Sequence, residues 1–189
     1  MSDNLSLTII TGGARSGKST FAEELAIKDG GNVLFVATAT ASDDEMSERI
    51  RRHRAGRPAG WMTLEASCNL AAALDGKVRD YQTVVIDCLT LLTNNIFCRY
   101  LNANGELIDA ESAEMDCYAE IDALLACIKK SEAHFIIVTN EVGEGIVPVN
   151  RLSRVYRDVL GKLNQKIARE ADTVYLMVAG IPLTVKSTR

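Results

Sequence analysis

The segment of residues 12–19, which reads GGARSGKS, constrains the fold of this chain more than any other feature. It matches the pattern G-x-x-x-x-G-K-[ST], and it follows an apolar run at residues 5–10 and precedes a helical pattern that continues through Leu25. Strand, tight loop and helix are the context in which such a loop binds phosphate through backbone amides at a helix N-terminus. We therefore expect a P-loop whose nucleotide-binding residues are Gly12, Gly13, Ala14, Arg15, Ser16, Gly17, Lys18 and Ser19.

Two side chains of this loop have chemical roles of their own. Lys18 is predicted to reach the β- and γ-phosphates and so to be a catalytic residue, and Ser19 to offer its hydroxyl to Mg²⁺. Asp87 ends an apolar run at residues 81–87 and is predicted to bind the same ion. The alternative for Asp87 is a strand-ending acid without a metal role.

Buried-strand patterns recur along the chain and alternate with helical patterns. Apolar runs predict strands at residues 5–10, 32–37, 81–87, 135–138 and 173–178, and a sixth strand at 183–185 is compatible with an antiparallel arrangement. Helices are predicted at residues 42–56, 89–100, 109–130 and 150–171. Such alternation is typical of an α/β fold with a mostly parallel sheet and helices on both faces. No linker divides the chain, so we expect one nucleotide-binding catalytic domain over residues 1–189.

Composition excludes several other classes of protein. The net charge of −4 argues against broad nucleic-acid binding, so no nucleic-acid partner is expected. The N-terminus lacks a signal-like segment and no run of eighteen apolar residues occurs, which predicts a cytoplasmic protein without a membrane segment. The five cysteines form no C-x-x-C pair and lie in apolar surroundings, which favours buried, reduced thiols.

Residues 49–57 read RIRRHRAGR, with five arginines and one histidine in nine residues. His53 follows Met46 and Ile50 at helical spacing, so it lies on the apolar face of the predicted helix. A neutral imidazole can attack phosphorus and form a phosphoramidate, and the arginines would neutralise the developing charge. The alternatives are a core histidine beside a solvated arginine face, or an RNA-binding patch. The missing aromatic residues and the negative net charge disfavour the patch.

With these motifs the chain resembles, over nearly its whole length, the bifunctional adenosylcobinamide kinase / adenosylcobinamide-phosphate guanylyltransferases of cobalamin biosynthesis. The resemblance rests on residues 11–19, Ala37-Thr38, residues 43–46, Arg49-Ile50, residues 53–58 with Trp61, residues 87–90 with Asn94 and Asn95, residues 138–148, and Asn150-Arg151.

The resemblance implies a RecA-like P-loop fold, a homotrimer and two reactions. GTP or ATP phosphorylates adenosylcobinamide, and GMP from a second GTP is then transferred to adenosylcobinamide phosphate through guanylylated His53. Further nucleotide contacts are implied for Ala37, Thr38, Ala39, Arg54, Ala55, Gly56, Arg57, Glu65 and Asp87. Residues 140–143 follow a strand at the edge where α/β sheets bind ligands, so they belong either to the corrinoid or active-site pocket or to a hydrogen-bonded turn. His134, which opens a predicted strand, is expected to be structural.

Two other functions remain open on the sequence alone. One is a one-step P-loop small-molecule kinase in which His53 is structural. The other is a RecA-like regulatory module that binds a nucleotide to switch a partner. Only the bifunctional enzyme needs both a γ-phosphate cradle and a nucleophilic histidine.

Overall fold

A computed structural model describes residues 6–39, 48 and 57–188. Its strands form one seven-stranded sheet in the order β3-β2-β4-β5-β1-β6-β7, in which all neighbours are parallel except β6 and β7. The strands are β1 (Leu7–Gly12), β2 (Val33–Ala37), β3 (Met62–Glu65), β4 (Thr83–Asp87), β5 (His134–Val138), β6 (Thr173–Val178) and β7 (Ile181–Ser187). The helices are α1 (Lys18–Asp29), α2 (Leu70–Leu74), α3 (Leu89–Cys98), α4 (Ala110–Lys129) and α5 (Arg151–Glu170), with a 3₁₀ turn at Val78–Asp80.

The two faces of the sheet carry separate apolar cores, because successive residues of a strand point to opposite faces. On one face, Ile10, Phe35 and Val85 pack with Ala22 and Ala26 of α1. On the other face, the alternate strand residues pack with apolar residues of α2, α3, α4 and α5. Both faces are thus covered, as a parallel sheet requires. The predicted α/β fold with helices on both faces is confirmed.

The predicted strands are all present, but β3 was not predicted from the sequence. This strand pairs in parallel with β2 at the edge of the sheet, and its four residues MTLE are exposed or half-buried. An edge strand that buries little apolar surface leaves no strong pattern in the sequence. The predicted helix over residues 42–56 lies outside the described part of the chain.

Side-chain caps fix the starts of two long helices. Asp109 accepts a hydrogen bond from Ser112 N (2.9 Å) at the start of α4, and Asn150 accepts one from Ser153 N (2.7 Å) at the start of α5. Such caps satisfy amides that have no partner within the helix. The cap at Asn150 sets where α5 begins, and α5 forms one wall of the cleft described below.

The cysteines are free thiols, as predicted, but they are not all buried. Cys117 is buried, whereas Cys98, in the last turn of α3, is exposed. Burial raises the pKa of the Cys117 thiol to about 12. The expectation of burial is therefore wrong for Cys98, whose apolar neighbours in sequence lie on the other side of its helix.

Candidate active site

The predicted P-loop lies between β1 and α1. Its backbone needs glycine at two positions, because Gly12 has φ 146° and Gly17 has φ 96°. A Cβ atom on Gly12 would lie 2.6 Å from the carbonyl oxygen of Met177 in the neighbouring strand β6. The loop thus packs directly against β6.

Lys18, the first residue of α1, is folded over this loop. Its side chain is buried, with 7% of the residue exposed, and its Nζ donates a hydrogen bond to Gly13 O at 2.5 Å. The buried hydroxyl oxygen of Ser16 has no hydrogen-bond partner among the described residues. Buried polar groups are nearly always hydrogen-bonded. The hydroxyl of Ser16 is therefore suited to form a hydrogen bond with a ligand bound in the loop. The ammonium and the hydroxyl together suit an anion.

Asp87 ends β4, and the alternation along this strand directs it to the same face as Val85, where α1 packs. Glu23 on α1 follows Ser19 by four residues, so the two share one side of the helix. Burial raises the pKa of Glu23, the charge of Arg57 opposes the rise, and the charge of Asp87 adds to it. A carboxylate pair and one guanidinium therefore lie close together beside the P-loop helix.

The donor set at this point suits Mg²⁺. Among the described residues, no group of three or more His, Cys, Asp or Glu side chains could hold a metal by itself. Mg²⁺ in phosphoryl-transfer sites uses one or two protein oxygens together with substrate phosphates and water. The hydroxyl of Ser19 and the carboxylate of Asp87 are such oxygens.

Arg57 is fixed against strands β2 and β3. Its Cζ lies 3.4 Å from the centre of the Phe35 ring, and its Nη1 donates to Thr63 Oγ1 at 3.5 Å. The Trp61 ring stacks beside Phe35, with ring centroids 6.5 Å apart. The last arginine of the cluster thus lies on the α1 face, the face of Asp87. Four predicted site residues before it, His53, Arg54, Ala55 and Gly56, lie outside the described residues.

The remaining predicted nucleotide residues lie at the carboxyl ends of β2 and β3. Ala37 pairs with Glu65 on one side and with Asp87 on the other. The next residue, Thr38, is fully buried, and its Oγ1 donates to Cys88 O and accepts from Cys88 N, both at 2.7 Å. Its hydroxyl therefore links the ends of β2 and β4. The half-buried Ala39 is the last residue of the first described range.

A cleft of about 730 Å³ lies on the opposite face of the sheet, between α5 and the ends of β1 and β5. Asn164 of α5 spans its floor: its Oδ1 accepts from Thr139 Oγ1 (2.8 Å), and its Nδ2 donates to Asn140 O (3.0 Å). Glu141 lines the cleft, and its backbone N donates to Gly12 O at 3.1 Å. The cleft is thereby joined to the P-loop.

Residues 140–143, for which a pocket and a turn were both open, contribute to both. Glu141 and Gly143 line the cleft, and Gly143 N donates to Glu141 Oε1 at 2.6 Å, which closes a local turn. Thr139 and Asn164 were not among the predicted site residues. The sequence signals available for them were the position of Thr139 directly after a buried strand and the position of the Asn164 amide within an amphipathic helix.

His134 is structural, as expected. Its Nε2 contacts Thr8 Oγ1 at 2.8 Å and its Nδ1 contacts Asp29 Oδ2 at 2.5 Å. It opens β5, at the end of the sheet away from the P-loop. This contact holds the last residue of α1 against the first residues of the strands.

The fold and the loop define a P-loop nucleotide-binding protein of the α/β class. The family model described as cobinamide kinase / cobinamide phosphate guanyltransferase matches residues 8–185. The chain belongs to this family. In the part that the structure describes, none of the helices is both long and apolar enough to cross a membrane.

Three curated relatives are each named as a bifunctional adenosylcobalamin biosynthesis protein. The chain is 40% identical to the protein named CobU from Escherichia coli (strain K12), over 95% of this chain and 99% of the relative. It is 41% identical to CobU from Salmonella typhimurium with the same coverage, and 43% identical to CobP from Pseudomonas aeruginosa over 94% and 96%. Among solved structures it is similar to the RadB recombinase, at 16% identity and a TM-score of 0.47 over 90% of this chain and 73% of that one.

Proposed function

We propose that this chain phosphorylates adenosylcobinamide with GTP or ATP and then transfers GMP from GTP to the product, yielding adenosylcobinamide-GDP and pyrophosphate. Family membership over residues 8–185 supports both reactions. The observation that carries the kinase step is Lys18, a buried ammonium within the P-loop. Phosphoryl transfer depends mainly on such positioned positive charge.

In the kinase step, the loop amides and Lys18 hold the β- and γ-phosphates. The Lys18 ammonium leaves Gly13 O for a γ-phosphate oxygen and stabilises the charge that develops during transfer. The hydroxyl of Ser16 is available to the bound phosphates. Loop residues 12–19 are accordingly proposed as the binding site for the transferred group.

Ser19 and Asp87 are proposed to hold Mg²⁺. The ion, when bound, neutralises phosphate charge and fixes the phosphate geometry. Asp87 lies on the α1 face, and Glu23 beside it remains partly protonated to a higher pH than an ordinary glutamate because burial raises its pKa.

In the second reaction, His53 is proposed as the nucleophile. Its neutral imidazole nitrogen attacks the α-phosphorus of GTP, the bond to the β-phosphate oxygen breaks, and pyrophosphate leaves with that electron pair. A phosphate oxygen of the acceptor then displaces the imidazole. Arg57 is proposed to neutralise the phosphate charge, and its contacts with Phe35 and Thr63 on the α1 face support this role.

The other proposed nucleotide contacts lie at or just after the carboxyl ends of β2, β3 and β4, or belong to the histidine segment. They are Ala37, Thr38, Ala39, Arg54, Ala55, Gly56, Glu65 and Asp87. Ala37 pairs with both Glu65 and Asp87, so contacts from three strand ends converge on one region. This convergence supports one nucleotide position next to the P-loop.

Labelling with α-labelled GTP tests the proposal. The protein should acquire label in an acid-labile, base-stable bond, and His53→Ala should abolish it. The chain has two histidines, so His134→Gln is the matched control and should retain the label once circular dichroism shows that it is folded. Label that persists in His53→Ala would contradict the assignment. Kinase activity without label would favour the one-step kinase, and binding without turnover the regulatory module.

A homotrimer in the cytoplasm, built from single-domain subunits, is also proposed. Exposed apolar side chains on β6 and β7, among them Val178, Ile181, Leu183 and Val185, support a subunit interface at this edge of the sheet. Light scattering coupled to size exclusion should give three times the 20.6 kDa chain mass. A mass equal to one chain would refute the trimer.

A further inference from the structure

The cleft of about 730 Å³ reaches the P-loop from the face that α1 does not cover. Ile9 and Thr11 of β1 line it, whereas Ile10 between them packs on the α1 face. Its volume is in the range of small-molecule sites, about 300–1,000 Å³. A molecule bound there can approach the end of β1 without displacing anything from the nucleotide side.

The cleft combines apolar walls with a few polar groups at one end. Ile9, Val147 and Val174 supply apolar surface. The buried hydroxyl oxygen of Thr11 has no hydrogen-bond partner within the described residues. Glu141 lies at the same end and is joined to the P-loop by one hydrogen bond, which its backbone N donates to Gly12 O. An apolar pocket with a few convergent polar groups is typical of a substrate site.

We propose that this cleft binds the alcohol acceptor of the kinase step and that Glu141 is the base that receives its hydroxyl proton. The inference rests on the proposed function. The acceptor oxygen forms a bond to the γ-phosphorus, the bond from this phosphorus to the bridging β-phosphate oxygen breaks, and the leaving nucleoside diphosphate keeps the electron pair. The hydroxyl proton passes to the Glu141 carboxylate and from there to water.

Glu141 meets the geometric requirement better than the other carboxylates near the loop. Asp87 and Glu23 are directed to the α1 face, on the nucleotide side of the sheet. Asp158 also lines the cleft, but its side chain is 62% exposed and lies beside Arg157 on α5. Glu141 alone among these four combines a place in the cleft wall with a direct backbone bond to the P-loop.

Asn164 determines the position of this carboxylate. Its two hydrogen bonds, to Thr139 and Asn140, join α5 to the two residues that immediately precede Glu141. Gly143 N then fixes the carboxylate itself through Oε1. Thr139, Asn140 and helix α5 therefore hold the proposed base next to the P-loop before any substrate binds. A catalytic group that is positioned in advance needs no reorganisation during the reaction.

Glu141→Gln tests the base, with Glu144→Gln as the matched control because Glu144 is exposed and does not line the cleft. The kinase kcat for adenosylcobinamide should fall about 10²- to 10⁴-fold, the usual contribution of a general base. KM should change less than about threefold, and labelling of the protein by α-labelled GTP should persist. In the wild type, log kcat should fall at low pH, and this limb should be lost in the variant.

A kcat within about threefold of wild type would overturn the assignment of Glu141. Parallel loss of nucleotide binding and labelling would also overturn it, because a structural role would then explain the defect. An inactive wild-type protein, by contrast, would refute the proposed function itself, so the two failures are distinguishable.

Gly161→Leu tests the cleft independently. Gly161 lies within α5 and lines the cleft, and a Cβ atom there would meet no described atom outside its own helix backbone within 4 Å. A leucine side chain therefore enters open space and also favours the helix. The KM for adenosylcobinamide should rise about tenfold or more, as expected for a filled site, while the Kd for GTP stays within about twofold. An unchanged KM in a folded protein would show that the acceptor does not bind in this cleft.

Discussion

Replacing Gly12 by alanine tests whether the P-loop backbone requires a glycine at this position. At φ 146°, an alanine costs about 1–3 kcal/mol of backbone strain. The new Cβ would lie 2.6 Å from Met177 O, a backbone atom of the paired strand β6, and relieving that overlap costs about 1–3 kcal/mol more. The smaller entropy of the unfolded alanine chain offsets about 0.5 kcal/mol. The free energy of unfolding should fall by about 2–5 kcal/mol.

Gly13→Ala is the matched control, because a Cβ at Gly13 meets no atom of the described residues within 4 Å. Its stability should stay within about 1 kcal/mol of wild type. For a chain of this size, thermal unfolding should show Gly12→Ala melting roughly 4–20 °C lower than wild type, at about 2–4 °C per kcal/mol. Isothermal titration should also show weaker GTP binding, since the loop must shift. Equal melting temperatures for the two variants would refute the reasoning.

Three further outcomes are expected. Lys18→Ala should lower kinase kcat by about 10²-fold or more, measured with γ-labelled GTP, because the positive charge that stabilises the transferring phosphoryl group is lost. An unchanged rate would contradict the P-loop assignment. Glu120→Gln should lower the free energy of unfolding in urea by about 1–3 kcal/mol, since the buried carboxylate accepts from Asn69 N (2.9 Å) and Leu70 N (2.7 Å); no change would show these bonds to be dispensable. Burial raises the pKa of Glu23, so the folded state binds the proton more tightly than the unfolded state, and the resulting stability is present at low pH and lost as pH rises through the folded pKa. Glu23→Gln should therefore melt higher than wild type at pH 7 and similarly at pH 4, and the reverse order would refute the shift.

The P-loop region was predictable because short-range chemistry determines it. The glycines at Gly12 and Gly17 adopt positive φ values, and Lys18 and Ser19 follow at fixed spacing, so the sequence pattern carries the geometry. The strands on either side were predictable for a similar reason, since both faces of a parallel sheet are buried and each strand is a nearly continuous apolar run. Strand β3 lies at the edge and has two exposed residues, which removes that signal.

The cleft could not be predicted in the same way. Thr139 and Asn164 are separated by 25 residues and meet only because α5 packs over the end of β5. The spatial order of the strands, β4-β5-β1, also differs from their order in sequence, and it places Glu141 next to Gly12. Contacts of this kind depend on packing between distant elements, for which a single sequence gives no local pattern.

The strand order also bears on the proposal that one P-loop serves two reactions. Arg57, which follows the histidine segment, lies on the α1 face together with Asp87, whereas the cleft opens on the α5 face. Under the proposed mechanism, the alcohol approaches the γ-phosphate from the α5 face, and Arg57 acts on the phosphates from the α1 face. A nucleotide bound across the end of the sheet between these two faces would then leave separate space for the nucleophiles of the two steps. For this reason a substitution in the cleft should change acceptor phosphorylation without changing guanylylation of the protein, and a substitution at His53 should do the reverse.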